Sequence, residues 1–198
     1  MSDMLLAPPK KLSPPPKITV AEFLALYPDE SNQVIELLEG EIIVANTPRP
    51  QHQEISSRLI TYLNMYILSN QLGRPVQPAP SAVYLDPYNQ VQPDIFWVAP
   101  EGQCFIGDDN HWQGPPDLCV EIISPSSAKH DRQTKFALYE RHGVREYWLV
   151  SPDERLIEVY VLEEGAFVRL GAYDEGDSFS GRVLPGLHLG VAEILGGE

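Results

Sequence analysis

Apolar and polar residues alternate with a period of two through 117–124, where Leu118, Val120 and Ile122 fall on one face and Cys119, Glu121 and Ile123 on the other. That period belongs to a strand. A second strand is predicted over 91–98, with Asp94 followed by the apolar run Ile95, Phe96, Trp97 and Val98. Residues 33–38 and 41–45 flank Glu39-Gly40 as a two-residue hairpin, and its register groups Ile35, Leu37, Ile42 and Val44 against Glu36, Leu38, Glu41 and Ile43. Segments 155–162 and 166–173 form a later hairpin around Glu163-Glu164-Gly165, and 147–151 is a short apolar strand suited to the centre of a sheet. Helical spacing appears after His52, where Ile55, Leu59, Leu63 and Tyr66 make an apolar stripe. It appears again where Asp131, Lys135 and Tyr139 recur at i, i+4 and i+8 on one face. Thr19-Val20-Ala21-Glu22 carries the capping-box spacing of a short helix reaching about Tyr27. Strands interleaved with helices predict an α/β domain.

Composition bounds this picture. With 198 residues, 43% of them hydrophobic, the chain suffices for one sizeable core, so 18–198 is expected to be a single domain. Residues 1–17 hold Pro8, Pro9, Pro14, Pro15 and Pro16 with little to pack, and read as a disordered arm. No apolar run approaches the ~18–20 residues of a membrane span, and the first 17 residues lack the apolar centre of a signal peptide, so a cytoplasmic protein is expected. Cys104 and Cys119 are too few for a disulfide framework or a cysteine zinc site.

The chemistry lies in acids where apolar residues belong. Asp94 and Glu121 each interrupt a predicted apolar strand, and a buried carboxylate requires a partner, a proton or a metal. Two carboxylates can hold a Mg²⁺ or Mn²⁺ that keeps several waters, with the Ile122 carbonyl as a further oxygen. A lysine beside them would stabilise charge developing on a phosphate. Glu36 and Glu41 project together from the first hairpin, and His52 opens the next helix on its buried side; these three are supporting candidates.

The run PDI, then DLCVEIISPSSAKHDRQTKFALYERHGVREYWLVSP, resembles the Uma-two family, a branch of the PD-(D/E)XK nuclease superfamily. The likeness reaches back through IELLEGEIIV and HQEISSRLITYL and forward to VLPGLHL. It implies a restriction-endonuclease-like αβββαβ core, a mixed sheet flanked by helices with extra β-hairpins, and Mg²⁺-dependent DNA cleavage. The superfamily's simplest motif would place lysine at 123, where this chain has Ile123. The resemblance implies that the lysine has moved onto the following helix, as Lys135, fourteen residues beyond Glu121. Asp94 and Glu121 are then the metal ligands, Lys135 the third catalytic group, and Glu41 the slightly favoured supporting acid because it ends the family's E-L-x-x-G-E pattern.

Charge argues the other way. Fourteen basic residues against 28 acidic ones give a net −14 and a pI near 4.7, whereas DNA affinity comes largely from lysines and arginines displacing counterions. Five of the fourteen cations, Lys129, Arg132, Lys135, Arg141 and Arg145, lie within the candidate segment, and Lys129, Arg132 and Arg141 are the expected DNA contacts. Cutting both strands of a duplex calls for a homodimer. Two alternatives stand beside the endonuclease: a non-catalytic interaction module of the same fold, and a metal-dependent phosphoesterase acting on a small or single-stranded substrate.

Overall fold

A computed structural model describes residues 16–27 and 34–196. Most of the expected proline-rich arm, residues 1–15, lies outside the described residues, as does Gln33 at the start of the expected first strand. In chain order the strands are β1 (Ile35–Leu38), β2 (Glu41–Val44), β3 (Gln77–Pro78), β4 (Val83–Asp86), β5 (Asn89–Val91), β6 (Ile95–Trp97) and β7 (Phe105–Ile106). They continue with β8 (Trp112–Gln113), β9 (Leu118–Ile122), β10 (Glu146–Ser151), β11 (Leu156–Glu163), β12 (Ala166–Asp174), β13 (Ser178–Phe179) and β14 (Leu189–Gly190). The helices are α1 (Val20–Leu26), α2 (Pro50–Ser69), α3 (Phe136–His142) and α4 (Val191–Leu195), with a π-helical turn at His130–Lys135 leading directly into α3.

The central sheet runs β12-β11-β10-β9-β6-β3, mixed because β9 and β10 are parallel while the other neighbours are antiparallel. Parallel pairing needs a crossover, and the π turn with α3 supplies it between β9 and β10. Every residue of β9 and of β10 is buried, as expected of strands covered on both faces. Leu118, Val120 and Ile122 pack with Ile55, Leu59, Leu63 and Ile67 of α2 and with α4. Cys119 faces the other way, into a second cluster containing Leu138 and Tyr139 of α3, Leu38, Val83 and Val91. The strand's alternation therefore sorts its side chains between two layers. Truncating a fully buried α2 residue such as Leu59 to alanine should cost roughly 2–5 kcal/mol.

A second six-stranded sheet, β2-β1-β5-β4-β8-β7, lies on the α3 side. Its β1–β2 hairpin has the expected register, Glu36 opposite Ile43 and Leu38 opposite Glu41. Glu39 and Gly40 both have positive φ, 54° and 78°, which is the two-residue turn whose twist suits a hairpin. Thr19 forms the capping box of α1 with Glu22, and α1 covers Ile35 and Leu37.

One expected strand is two. Residues 91–98 do not run as a single strand: β5 ends at Val91 in the second sheet and β6 begins at Ile95 in the central sheet. Pro93 lacks the N–H a continuous ladder needs, so the chain turns a corner at Gln92-Pro93-Asp94 and passes from one sheet to the other. Asp94 thus stands at the junction of the sheets, immediately before β6.

Candidate active site

Three elements meet at that corner. β1 brings Glu36, β9 brings Glu121, and the π turn with α3 brings Asp131, Lys135 and Tyr139. Lys135 Nζ donates to Glu121 Oε1 at 2.9 Å and stands 2.9 Å from Glu36 Oε1, with Asp131 Oδ1 at 3.9 Å. Tyr139 Oη donates to the same Glu121 oxygen at 2.8 Å, and the Gln92 N–H donates to Glu36 Oε1 at 2.7 Å. Asp94 Oδ2 accepts the Ile122 N–H at 2.7 Å and lies 3.1 Å from His52 Nε2. Asp94 therefore fastens the corner to the end of β9, while His52 reaches it from the first turn of α2.

Lys135 is only 5% exposed and Glu121 3%, so this is an interior cluster rather than a surface pair. Burial pushes the Glu121 carboxyl well above the usual range; Lys135 opposes that shift, and Asp131, Asp94 and Glu36 reinforce it. Burial likewise raises Asp131 to about 6, against the pull of Lys135. Burial by itself would lower Lys135, but the surrounding Glu121, Glu36, Asp131 and Asp94 outweigh it and hold the ammonium well above its ordinary range. His52 behaves similarly: burial disfavours its charge, and the Asp94 carboxylate more than compensates.

The oxygen bonds have a pattern. Glu36, Asp94 and Glu121 each hold protein donors on one carboxylate oxygen, and among the described residues no hydrogen-bond donor meets Glu36 Oε2, Asp94 Oδ1 or Glu121 Oε2. His52 Nδ1 is also buried without a partner. No group of three or more His, Cys, Asp or Glu side chains makes a ready cage for a metal among the described residues. A hard cation such as Mg²⁺ does not require one, since it is commonly held by one or two carboxylates with waters and substrate oxygens. Unengaged oxygens on Asp94 and Glu121 suit that kind of binding.

The family model described as "Uma2: Putative restriction endonuclease" matches residues 20–192. The chain belongs to that family. A solved structure described as a "putative nuclease belonging to DUF820" from Anabaena variabilis ATCC 29413 is similar at a TM-score of 0.74 and 22% identity, covering 90% of this chain and 97% of that one. The fold is accordingly that of the restriction-endonuclease-like proteins, as the Uma-two resemblance implied. No curated protein matches this member of the family.

The candidate residues divide. Asp94, Glu121, Lys135, Glu36 and His52 are brought together, whereas Glu41 is exposed and, among the described residues, no hydrogen bond or ion pair joins it to them. β2 lies outside β1 at the sheet's end, and Lys135 arrives beside the inner strand. Arg132 is bound by Glu158, Ser151 and Glu154, and Arg141 stands 2.9 Å from Glu39, so two of the three expected DNA contacts are engaged within the protein. Lys129 is exposed. Asp131 and Tyr139 join the cluster from positions whose i, i+4, i+8 spacing marks a shared face, but spacing alone does not separate a buried face from a wet one.

Proposed function

We propose that the chain is a metal-dependent endonuclease hydrolysing DNA phosphodiester bonds, with Asp94 and Glu121 holding Mg²⁺ or Mn²⁺ and Lys135 as the cationic catalytic group. The observation that carries the reading is the three-sided cluster in which Asp94, Glu121 and Glu36 are each anchored through one oxygen while the other has no donor. When bound, the ion would supply Lewis-acid polarisation of the phosphate and a more acidic water. The chain's own residues orient and neutralise. Tyr139 and Lys135 fix the rotamer of Glu121, the Ile122 N–H and His52 fix that of Asp94, and Gln92 fixes Glu36. Among the described residues Lys135 carries the one ammonium of the cluster and is the group able to face charge accumulating on a phosphate. Glu36 is the favoured supporting acid over Glu41. A cytoplasmic setting accords with Cys104 and Cys119, both buried free thiols, and no described helix is long and apolar enough to cross a membrane.

Plasmid cleavage with Mg²⁺, Mn²⁺ and EDTA, on wild type and Glu121→Ala, tests the reading. Metal-dependent cleavage by the wild type alone is expected; equal cleavage by both proteins would remove Glu121 from the site. Isothermal calorimetry with Mg²⁺ separates the metal from the reaction, and Asp94→Ala should lose the binding heat. A second reading, a non-catalytic module of the same fold, is favoured by the closed pairing of Lys135 with Glu121 and Glu36 and by the net charge of −14. Protein that binds metal but cuts neither duplex nor single strands would favour that reading.

A further inference from the structure

We propose that Arg49 and Lys129 are the cations that grip the phosphate backbone of duplex DNA beside the Asp94–Glu121 cluster, an inference that rests on the nuclease reading and adds where its substrate is held. Charge accounting leads to them. Of the twelve lysines and arginines among the described residues, nine lie within 4.0 Å of a carboxylate. Arg74 sits over the Trp112 ring, 5.9 Å from its centroid. Only Arg49 and Lys129 remain with neither an acid nor a ring among those residues.

A cation already paired with a carboxylate gains little from a phosphate, because the pair must open and leaves an acid beside the incoming anion. Arg132 is held by Glu158 and Glu154, Arg141 by Glu39 and Arg145 by Asp117, so these three are poor sources of counterion release. Arg49 and Lys129 carry no such cost.

Position supports the pairing. Arg49 is the N-cap residue of α2, its side chain makes no capping hydrogen bond, and the first turn of the helix contains no acid to compete for it. Three residues on, His52 touches Asp94. Lys129 immediately precedes the π turn, and two residues on Asp131 lies 3.9 Å from Lys135. Arg49 is thus three residues from the side chain that touches Asp94, while Lys129, two residues before the inward-pointing Asp131, leaves its turn towards solvent next to the cluster. Four carboxylates gather there, and a polyanion needs local positive charge to approach them.

Binding of a labelled duplex in EDTA, followed by anisotropy across a salt series, tests the assignment without hydrolysis. The wild-type plot of log affinity against log salt should have a slope of about −2, at about 0.9 per phosphate neutralised. Arg49→Ala and Lys129→Ala should each lower that slope by about one and weaken binding several-fold, and Arg49→Lys should restore it. Arg132→Ala and Arg141→Ala should leave the slope unchanged. An unaltered slope in Arg49→Ala, an equal loss in Arg141→Ala, or no wild-type binding at low salt would each overturn the inference. Failure of the nuclease reading looks different: the binding pattern holds, but no metal supports cleavage.

Discussion

Glu121 and Glu146 are both carboxylates in fully buried strands, yet their surroundings separate them. Glu146 accepts from the Trp148 indole and from the Arg182 and Val183 N–H groups, and the Gly181 loop approaches so closely that a Cβ there would lie 1.8 Å from its Oε1. Those are neutral donors tying a loop to a sheet, a structural arrangement. Glu121 faces other acids across one lysine, and that difference is invisible to a rule that looks only for an acid in an apolar run. Lys135→Ala would leave Glu36, Glu121 and Asp131 without their shared cation, so roughly 3–5 kcal/mol of stability should be lost near neutral pH, as when one partner of a buried pair is removed. Denaturant unfolding measures it, and a loss below about 1 kcal/mol would mean that proton uptake by the raised Glu121 and Asp131 carboxyls, not the lysine, neutralises the cluster. Asp131 gives the complementary prediction. Its folded pKa of about 6 lies above its ordinary 3.8, so its contribution to stability is fully present below about pH 4 and is lost as pH rises through 6. Asp131→Asn removes that dependence and should narrow the difference between the unfolding free energies at pH 4.5 and pH 7.5 by on the order of 1–3 kcal/mol. Parallel pH profiles for the two proteins would contradict the burial of Asp131 as its cause.

At the scale of elements, the strands nearest the site were legible where burial follows alternation. β9 and β10, the capping box of α1 and the turn at Glu39-Gly40 all follow from the local pattern. The corner at Asp94 did not, because the apolar run after Asp94 hides a change of sheet that only Pro93 hints at. Nor did alternation choose between Glu36 and Glu41, since both lie on one hairpin face and the choice depends on which strand the crossover passes. The π turn was likewise unreadable, being a single-turn departure from helix that no residue type marks. It has a consequence for the site: the wider turn is the stretch over which Asp131 and Lys135 both point inward. Deleting the exposed Gln133 should let the segment close to an ordinary α-helix, bringing Asp131 and Lys135 from four residues apart to three and so changing their relative direction and rise. The expected result is folded protein by circular dichroism, with Mg²⁺ binding and cleavage both impaired. Full activity in the deletion would mean that the π geometry plays no part in placing Lys135.

The whole molecule carries twice as many acids as bases, 28 against 14, and most of its cations are held by its own carboxylates. A basic-looking segment at 129–145 therefore exerts less attraction than its sequence suggests, because Arg132, Arg141 and Arg145 are paired and Lys135 is buried. Duplex binding should be weak for a nuclease, with the shallow salt slope expected of two contacts rather than the steep one of five. If the protein acts on both strands as a homodimer, each subunit contributes its own pair and the slope should approach about −4 per dimer, while the net charge doubles and opposes assembly at low salt. The two quantities can be read on one preparation: light scattering gives the mass at each salt concentration, and a plasmid time course gives the product. A dimer should convert supercoiled plasmid to linear product with little nicked intermediate, and its mixed dimer with Glu121→Ala should stop at the nicked circle. A monomeric mass with nicked circles accumulating first would assign the chain one site per substrate encounter and exclude the paired-site arrangement.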